Sequence, residues 1–397
     1  MQSQMDYQPT RRLRARTWLG VIVVMSSALL VVVSGSGAAV SVRNRSPRSS
    51  IGVATAKKLV TQESAKDSWT SPGPTISVGH TVAGKKVFFL ANGITFPFVV
   101  DMVGGVKQAA SLLGMKVLTG DGAGSSATAA RLVEEATSEK VAAIIDEGFP
   151  DSEISAPLKA AEAAGIKVIE FGPGSPSLPT AAERANGVSA IATFCYPCAG
   201  RAMADLAIAQ SNGHADAAIV AVPGISVSPG MTAAIKSEFR RLCSACKVSV
   251  IYAPLAVWST ELTSDTSSAI RSDPHLTYLL PLFDSMFSYM EPAIVQAGAT
   301  SRVHMISYNA TSPGVTDLAK GNQNVTGDVG GAPAWVGWAA MDQIVRLLKG
   351  DSALASEKIP NRTFTPQNVK TLNLKASDDT WYGVNFAAQY RKLWGLG

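Results

Sequence analysis

The four cysteines of this 397-residue chain fall as two C-x-x-C pairs, Cys195-Tyr196-Pro197-Cys198 and Cys243-Ser244-Ala245-Cys246. Such pairs can hold a zinc ion through four thiolates, close two local disulfides, or form a dithiol redox centre. An oxidising compartment would select disulfides. The first pair lacks the βαβ setting of a thioredoxin-type centre. Beyond the cysteines, patterns that carry chemistry are sparse. The four histidines, His80, His214, His275 and His304, are widely spaced. No G-x-S-x-G, P-loop or H-E-x-x-H run is present. Glu134-Glu135 falls on a helical pattern and reads as a solvated face. The chain is therefore read as a non-enzyme, with no catalytic residue, no metal and no cofactor.

Binding chemistry is better represented than catalysis. Phe96 and Phe98 flank a proline on a strand-to-helix loop, where aromatic rings can stack on the apolar face of a ligand ring. Asp146 and Glu147 close an apolar strand at its carboxyl end, and one of them could accept ligand hydrogen bonds or cap a helix instead. Phe283 and Asp284 lie at another strand end, with helix capping as the competing role for Asp284. Asn309 follows Tyr308 at a third. Asp328 and Trp335 bracket the crossover Gly330-Gly331-Ala332-Pro333, and Trp258 follows a strand closely enough to reach a cleft. Core packing competes for Trp335, and it is preferred for Trp338 and Met341 at the same helical spacing.

The charge distribution shows where these residues work. Lys and Arg number 35 against 30 Asp and Glu, a formal net charge of +5. Residues 1–50 hold seven arginines and one acid, so the body carries 28 basic and 29 acidic side chains. A body without basic excess has no electrostatic footprint for phosphate backbones, which excludes nucleic acid as a partner. Arg11, Arg12, Arg14 and Arg16 precede an apolar run from Trp18 to Val33, followed by Ser, Gly and Ala up to Ala39. This order is that of a signal peptide, and the run is shorter than the ~20 residues of a membrane span. Residues 1–39 are thus a signal peptide or, because Arg43, Arg45 and Arg48 follow closely, a retained signal anchor on the cytoplasmic membrane. Residues 40–84, rich in Ser, Thr, Pro and Lys, read as a flexible tether.

From residue 85 short apolar runs alternate with amphipathic stretches about ten times. Examples are Val87–Leu90, Val141–Ile145, Ala217–Val222 and Val303–Tyr308 as strands, with a last strand near Val369–Leu374 and a terminal helix over Val384–Leu393. Alternation of this kind predicts an α/β fold of parallel sheets covered by helices on both faces, and its length fits two lobes. Cys195 and Cys198 then open one crossover helix, while Cys243 and Cys246 follow the end of the next. Successive crossover helices run parallel, so the pairs lie at opposite ends of a lobe, too far apart for one zinc ion. Two disulfides are expected, Cys195–Cys198 and Cys243–Cys246.

The segment Thr95-Phe96-Pro97-Phe98-Val99-Val100, then Gly114-Met115-Lys116-Val117, Ala163-Ala164-Gly165-Ile166-Lys167-Val168, Ala199-Gly200-Arg201 and Phe283-Asp284 resemble, in order and spacing, the ribose-type periplasmic (type I) solute-binding proteins of ABC transporters. The resemblance covers about residues 85–350. It implies two Rossmann-like lobes with a ligand cleft between them, residues 85–194 plus 331–360 forming the first and 195–330 plus 361–397 the second. It also implies an exported monomer that binds a small molecule, sugar-like or less polar and ring-bearing, and presents it to an ABC transporter permease. The same module on an uncleaved anchor would instead be a membrane-held receptor. Departures from the family bear on the ligand. Gly172-Pro173 stands where the family carries Asp-Arg, Phe96 and Phe283 where it carries asparagine, and Cys195-Tyr196 where it carries Asp-Asn. These changes predict a pocket less polar than a pentose or hexose site, suited to a ring-bearing or amphiphilic ligand.

Overall fold

The structure is a computed structural model that describes residues 47–172 and 174–396. In its first half, α1 (Pro47–Glu63) is followed by β1 (Lys86–Ala91), α2 (Pro97–Leu112), β2 (Lys116–Asp121), α3 (Ser126–Ser138), β3 (Ala143–Glu147), α4 (Ser155–Ala163), β4 (Lys167–Phe171), α5 (Ala181–Ala185) and β5 (Ala190–Ile191). Next come α6 (Tyr196–Gln210), β6 (Asp216–Ala221), α7 (Ser228–Leu242), β7 (Lys247–Tyr252), α8 (Leu262–Ser272), β8 (Tyr278–Pro281), α9 (Phe287–Gln296), β9 (His304–Tyr308), α10 (Ser312–Ala319) and β10 (Val325–Gly330). The chain ends in α11 (Pro333–Lys349), β11 (Arg362–Phe364) and α12 (Phe386–Leu393).

Central strands such as Lys-Val-Phe-Phe-Leu-Ala in β1 and Ala-Ile-Ile-Asp-Glu in β3 are apolar without alternation. Parallel strands buried on both faces require this composition. They build two sheets: a parallel five-stranded one in the order β2-β1-β3-β4-β5, and a six-stranded one in the order β11-β10-β9-β8-β6-β7. Apart from β11, which pairs antiparallel to β10, the second sheet repeats the order of the first. Both are doubly wound, with a topological switch point between neighbours of the first strand. The expected two-lobed α/β architecture is present.

The chain crosses between the sheets after β5, after β10 and before β11. These crossings touch one another. The Asn361 side-chain amide donates to the Cys195 carbonyl at 2.9 Å. A Cβ on Gly331 would lie 2.1 Å from the Phe194 ring, so only glycine lets the first two crossings pass. Both expected disulfides are formed, Cys195–Cys198 at the first crossing and Cys243–Cys246 beyond α7.

Three sequence expectations need correction. The tether over 40–84 is, in its described part, ordered structure. Val53 and Ala56 of α1 are buried, with Val60 packed beside them, and the helix lies on α6 and α7. The following segment runs beside α12, where the Ile76 amide donates to the Leu393 carbonyl at 2.7 Å. The strand expected near Val369–Leu374 is a short 3-10 helix, Val369–Thr371, and the strand is β11 instead. The tail also divides between lobes: β11 extends the second sheet, whereas α12 packs on α11, which itself packs on α2 of the first lobe. Aromatic stacking holds α12 there, with Trp338 on Trp394 at 5.4 Å and Trp335 on Phe386 at 5.3 Å. The signal segment, residues 1–39, lies outside the described residues. Among the described residues no helix is long and apolar enough to cross a membrane.

Candidate functional site

The carboxyl ends of the two sheets face one cleft, the place where open α/β sheets bind ligands. It has a volume of about 570 Å³ counting its open mouth. From the first lobe come Asn92 and Gly93 just past β1, Phe96 and Phe98 at the start of α2, Glu147 and Gly148 at the end of β3, and Phe171 at the end of β4. Tyr196 enters from the first turn of α6. From the second lobe come Ile225 and Val227 after β6, Leu255 and Trp258 after β7, Phe283 and Ser285 after β8, and Asn309 after β9.

Five of the residues singled out in the sequence thus meet in one place: Phe96, Phe98, Trp258, Phe283 and Asn309. Their rings touch. Phe96 of the first lobe meets Trp258 of the second at 5.7 Å between centroids, and Trp258 meets Phe283 at 6.3 Å. A second group links Phe98 to Phe171 at 6.1 Å and Phe171 to Tyr196 at 5.8 Å. Trp258 is held by its indole N–H, which donates to the Ala253 carbonyl at 2.9 Å. The lobes are also joined through backbone, the Ser226 amide donating to the Gly148 carbonyl at 3.1 Å.

The other four singled-out residues do not line this cleft. Asp146 shares a register row with Leu90 and Glu170, one residue out of phase with Glu147. Side chains alternate along a strand, so Asp146 faces the core under α3 and α4 while Glu147 reaches the cleft. Burial raises the Asp146 carboxyl well above its usual range, and burial with the nearby Asp146 raises Glu170 to about 9. Asp284 and Asp328 work one layer behind Asn309. Asp284 accepts the Thr311 amide at 2.8 Å and the Thr311 hydroxyl at 2.6 Å, and Asp328 accepts the Ser307 hydroxyl at 2.9 Å. Burial raises Asp284 to about 6 despite these bonds, while burial and the neighbouring Asp284 charge hold Asp328 well above the carboxylate range. Trp335 lies away from the cleft, stacked between Trp69 and Phe386.

The turn that presents Asn309 is strained. Asn309 and Ala310 have φ of +123° and +48°, a backbone region that side chains with a Cβ rarely occupy. A Cβ on Gly330 would lie 2.4 Å from the Asn309 carbonyl oxygen, so glycine is what lets β10 pass beneath this turn. Strain of this kind concentrates at binding sites.

Sequence reasoning missed Asn92, Phe171, Tyr196 and the apolar residues Ile225, Val227 and Leu255. Asn92 carried a usable signal, since it directly follows a buried strand at its carboxyl end. It is 5% exposed, and neither side-chain polar atom has a hydrogen-bond partner among the described residues. Its backbone amide donates to Glu147 Oε2 at 2.9 Å. Burial raises the Glu147 carboxyl to about 8, with Asp121 adding to the rise and the Asn92 bond opposing it. Among the described lining residues there is no lysine or arginine.

Comparison with known proteins agrees with this geometry. Residues 87–352 match the family described as periplasmic binding protein domain, and the chain belongs to that family. Among solved structures, an ABC transporter solute-binding protein from Agrobacterium vitis with bound allitol aligns with a TM-score of 0.65 at 16% identity, covering 74% of this chain and all of that one. A solute-binding protein from Mycobacterium smegmatis with bound glycerol aligns at 0.63 and 16%, covering 73% and 97%. The 5-methylthioribose transporter solute-binding protein from Thermotoga lettingae aligns at 0.62 and 18%, covering 71% and 87%. No curated protein matches the sequence. At these identities the structural likeness establishes the fold, and the family establishes a solute-binding role.

Proposed function

We propose that this protein is an exported solute-binding protein that captures a small, ring-bearing, weakly polar molecule between its lobes and hands it to the permease of an ABC importer. The observation that carries the reading is the lining of the cleft. Two groups of aromatic rings from both lobes dominate it, and its polar edge is limited to the Asn92 and Asn309 amides, the Glu147 carboxyl and the Tyr196 and Ser285 hydroxyls. Sugar hydroxyls buried there would find few partners, and each unsatisfied buried group costs about 1–3 kcal/mol. Closure over the ligand supplies the mechanism, because contacts from both lobes are made only in the closed state.

A thermal-shift screen over aldoses, polyols, cyclitols and aromatic compounds tests the proposal. A ligand present at a thousand times its Kd stabilises the protein by about 4 kcal/mol. Ring-bearing, weakly polar compounds are expected to raise Tm, and Trp258→Ala is expected to abolish the rise. Stabilisation by aldopentoses and aldohexoses alone would overturn the ligand assignment.

A further inference from the structure

The cleft combines an aromatic wall with one acidic group and no base. Phe96, Trp258 and Phe283 form a continuous ring cluster across the lobes. The only carboxyl among the described lining residues is that of Glu147, which is 8% exposed and lies beside the unpartnered amide of Asn92. Ring faces attract cations, most strongly where water is excluded. A cation that leaves water needs a counter-charge close by, and the cleft supplies one. An anion would meet aromatic faces and a carboxyl, with nothing to balance it.

Resting on the reading of this cleft as the solute site, we propose that its ligand is an organic cation, a small alkylated or aromatic ammonium held against the Phe96–Trp258–Phe283 rings and paired with Glu147. Asn92 then supplies the polar contact that fixes the rest of the ligand. Until a cation enters, burial keeps the Glu147 proton on, with a carboxyl value of about 8. An entering cation favours the carboxylate, so binding near neutral pH releases that proton to solvent. Affinity therefore falls as pH drops below about 8, approaching tenfold per pH unit. Asp121 at the end of β2, Asp146 on β3 and Tyr196 on α6 also face this carboxyl electrostatically, so a variant must assign the effect.

The test is isothermal titration of the full chain with choline and benzyltrimethylammonium, against their neutral counterparts 3,3-dimethyl-1-butanol and benzyl alcohol. Both cations keep their charge at every pH used. Expected are binding of at least one cation tenfold or more tighter than its neutral partner, and close to one proton released at pH 7 when two buffers of different ionisation enthalpy are compared. Glu147→Gln should lose tenfold or more in cation affinity, together with the proton release and the pH dependence. Benzyl alcohol binding as tightly as benzyltrimethylammonium would overturn the charge assignment and leave the ring-bearing reading standing. Binding of allitol or ribose, titrated alongside, in place of these four compounds, or of none of them, would overturn both.

Discussion

At the scale of single residues, adjacent carboxyls in β3 take opposite fates. Asp146 and Glu147 are chemically equivalent in the sequence, and only the phase of the strand separates them. Glu147 reaches the cleft, while Asp146 is buried beside Glu170 on the other face. Neither Glu170 carboxyl oxygen has a hydrogen-bond partner among the described residues, and its carboxyl is raised to about 9. Its folded value lies above the unfolded one, so it favours the native state fully below pH ~4.3, and that contribution fades as pH rises through 9. The protein should therefore melt at a lower temperature at pH 9 than at pH 5. Glu170→Gln keeps a neutral side chain of the same shape and should make that decline shallower. Calorimetric melts across this range check it, and an unchanged slope in the variant would contradict the role given to Glu170.

Elements whose sequence carries a strong period were legible, and those whose period is diluted were not. The runs that became β1, β3, β6 and β9 each hold an apolar core of two to five residues, so both their existence and the sheets they build follow from the residues. Phe96 and Phe98 after β1, Trp258 after β7 and Phe283 after β8 line one cleft, while Trp335 does not. Helix α1 was hidden because its packed residues, Val53, Ala56, Leu59 and Val60, sit among serines, threonines and lysines that dilute the helical period. Site residues such as Val227 and Leu255 were hidden for another reason: they are loop residues whose partners lie across the cleft, a tertiary fact with no local signature. The position of α1 is testable. Ala56 is fully buried, so Ala56→Asp places a charge against α6 and should destabilise by several kcal/mol. A flexible tether would tolerate the change, and an unaltered Tm would restore that description.

For the whole molecule, function depends on the balance between separated and apposed lobes. The structure is apposed: Phe96 touches Trp258, and the Ser226 amide bonds to the Gly148 carbonyl. These contacts join the lobes through the protein's own groups, so they weight the balance between closed and open forms. The apparent Kd equals the intrinsic Kd divided by the closed fraction. Aromatic pairs contribute about 0.5–1.5 kcal/mol beyond their burial. Losing the Phe96–Trp258 contact should therefore reduce the ratio of closed to open molecules by roughly 2- to 13-fold, at about 1.4 kcal/mol per factor of ten. Phe96→Ala also removes a wall of the site, so affinity alone would not separate closure from contact. Small-angle scattering of the ligand-free protein does, because it reads shape without ligand. The variant is expected to show a larger radius of gyration than the parent, with an unchanged disulfide pattern and a similar Tm, since Phe96 is only partly buried. Equal radii would place the closing energy elsewhere, in the packed crossings around Cys195, Gly331 and Asn361.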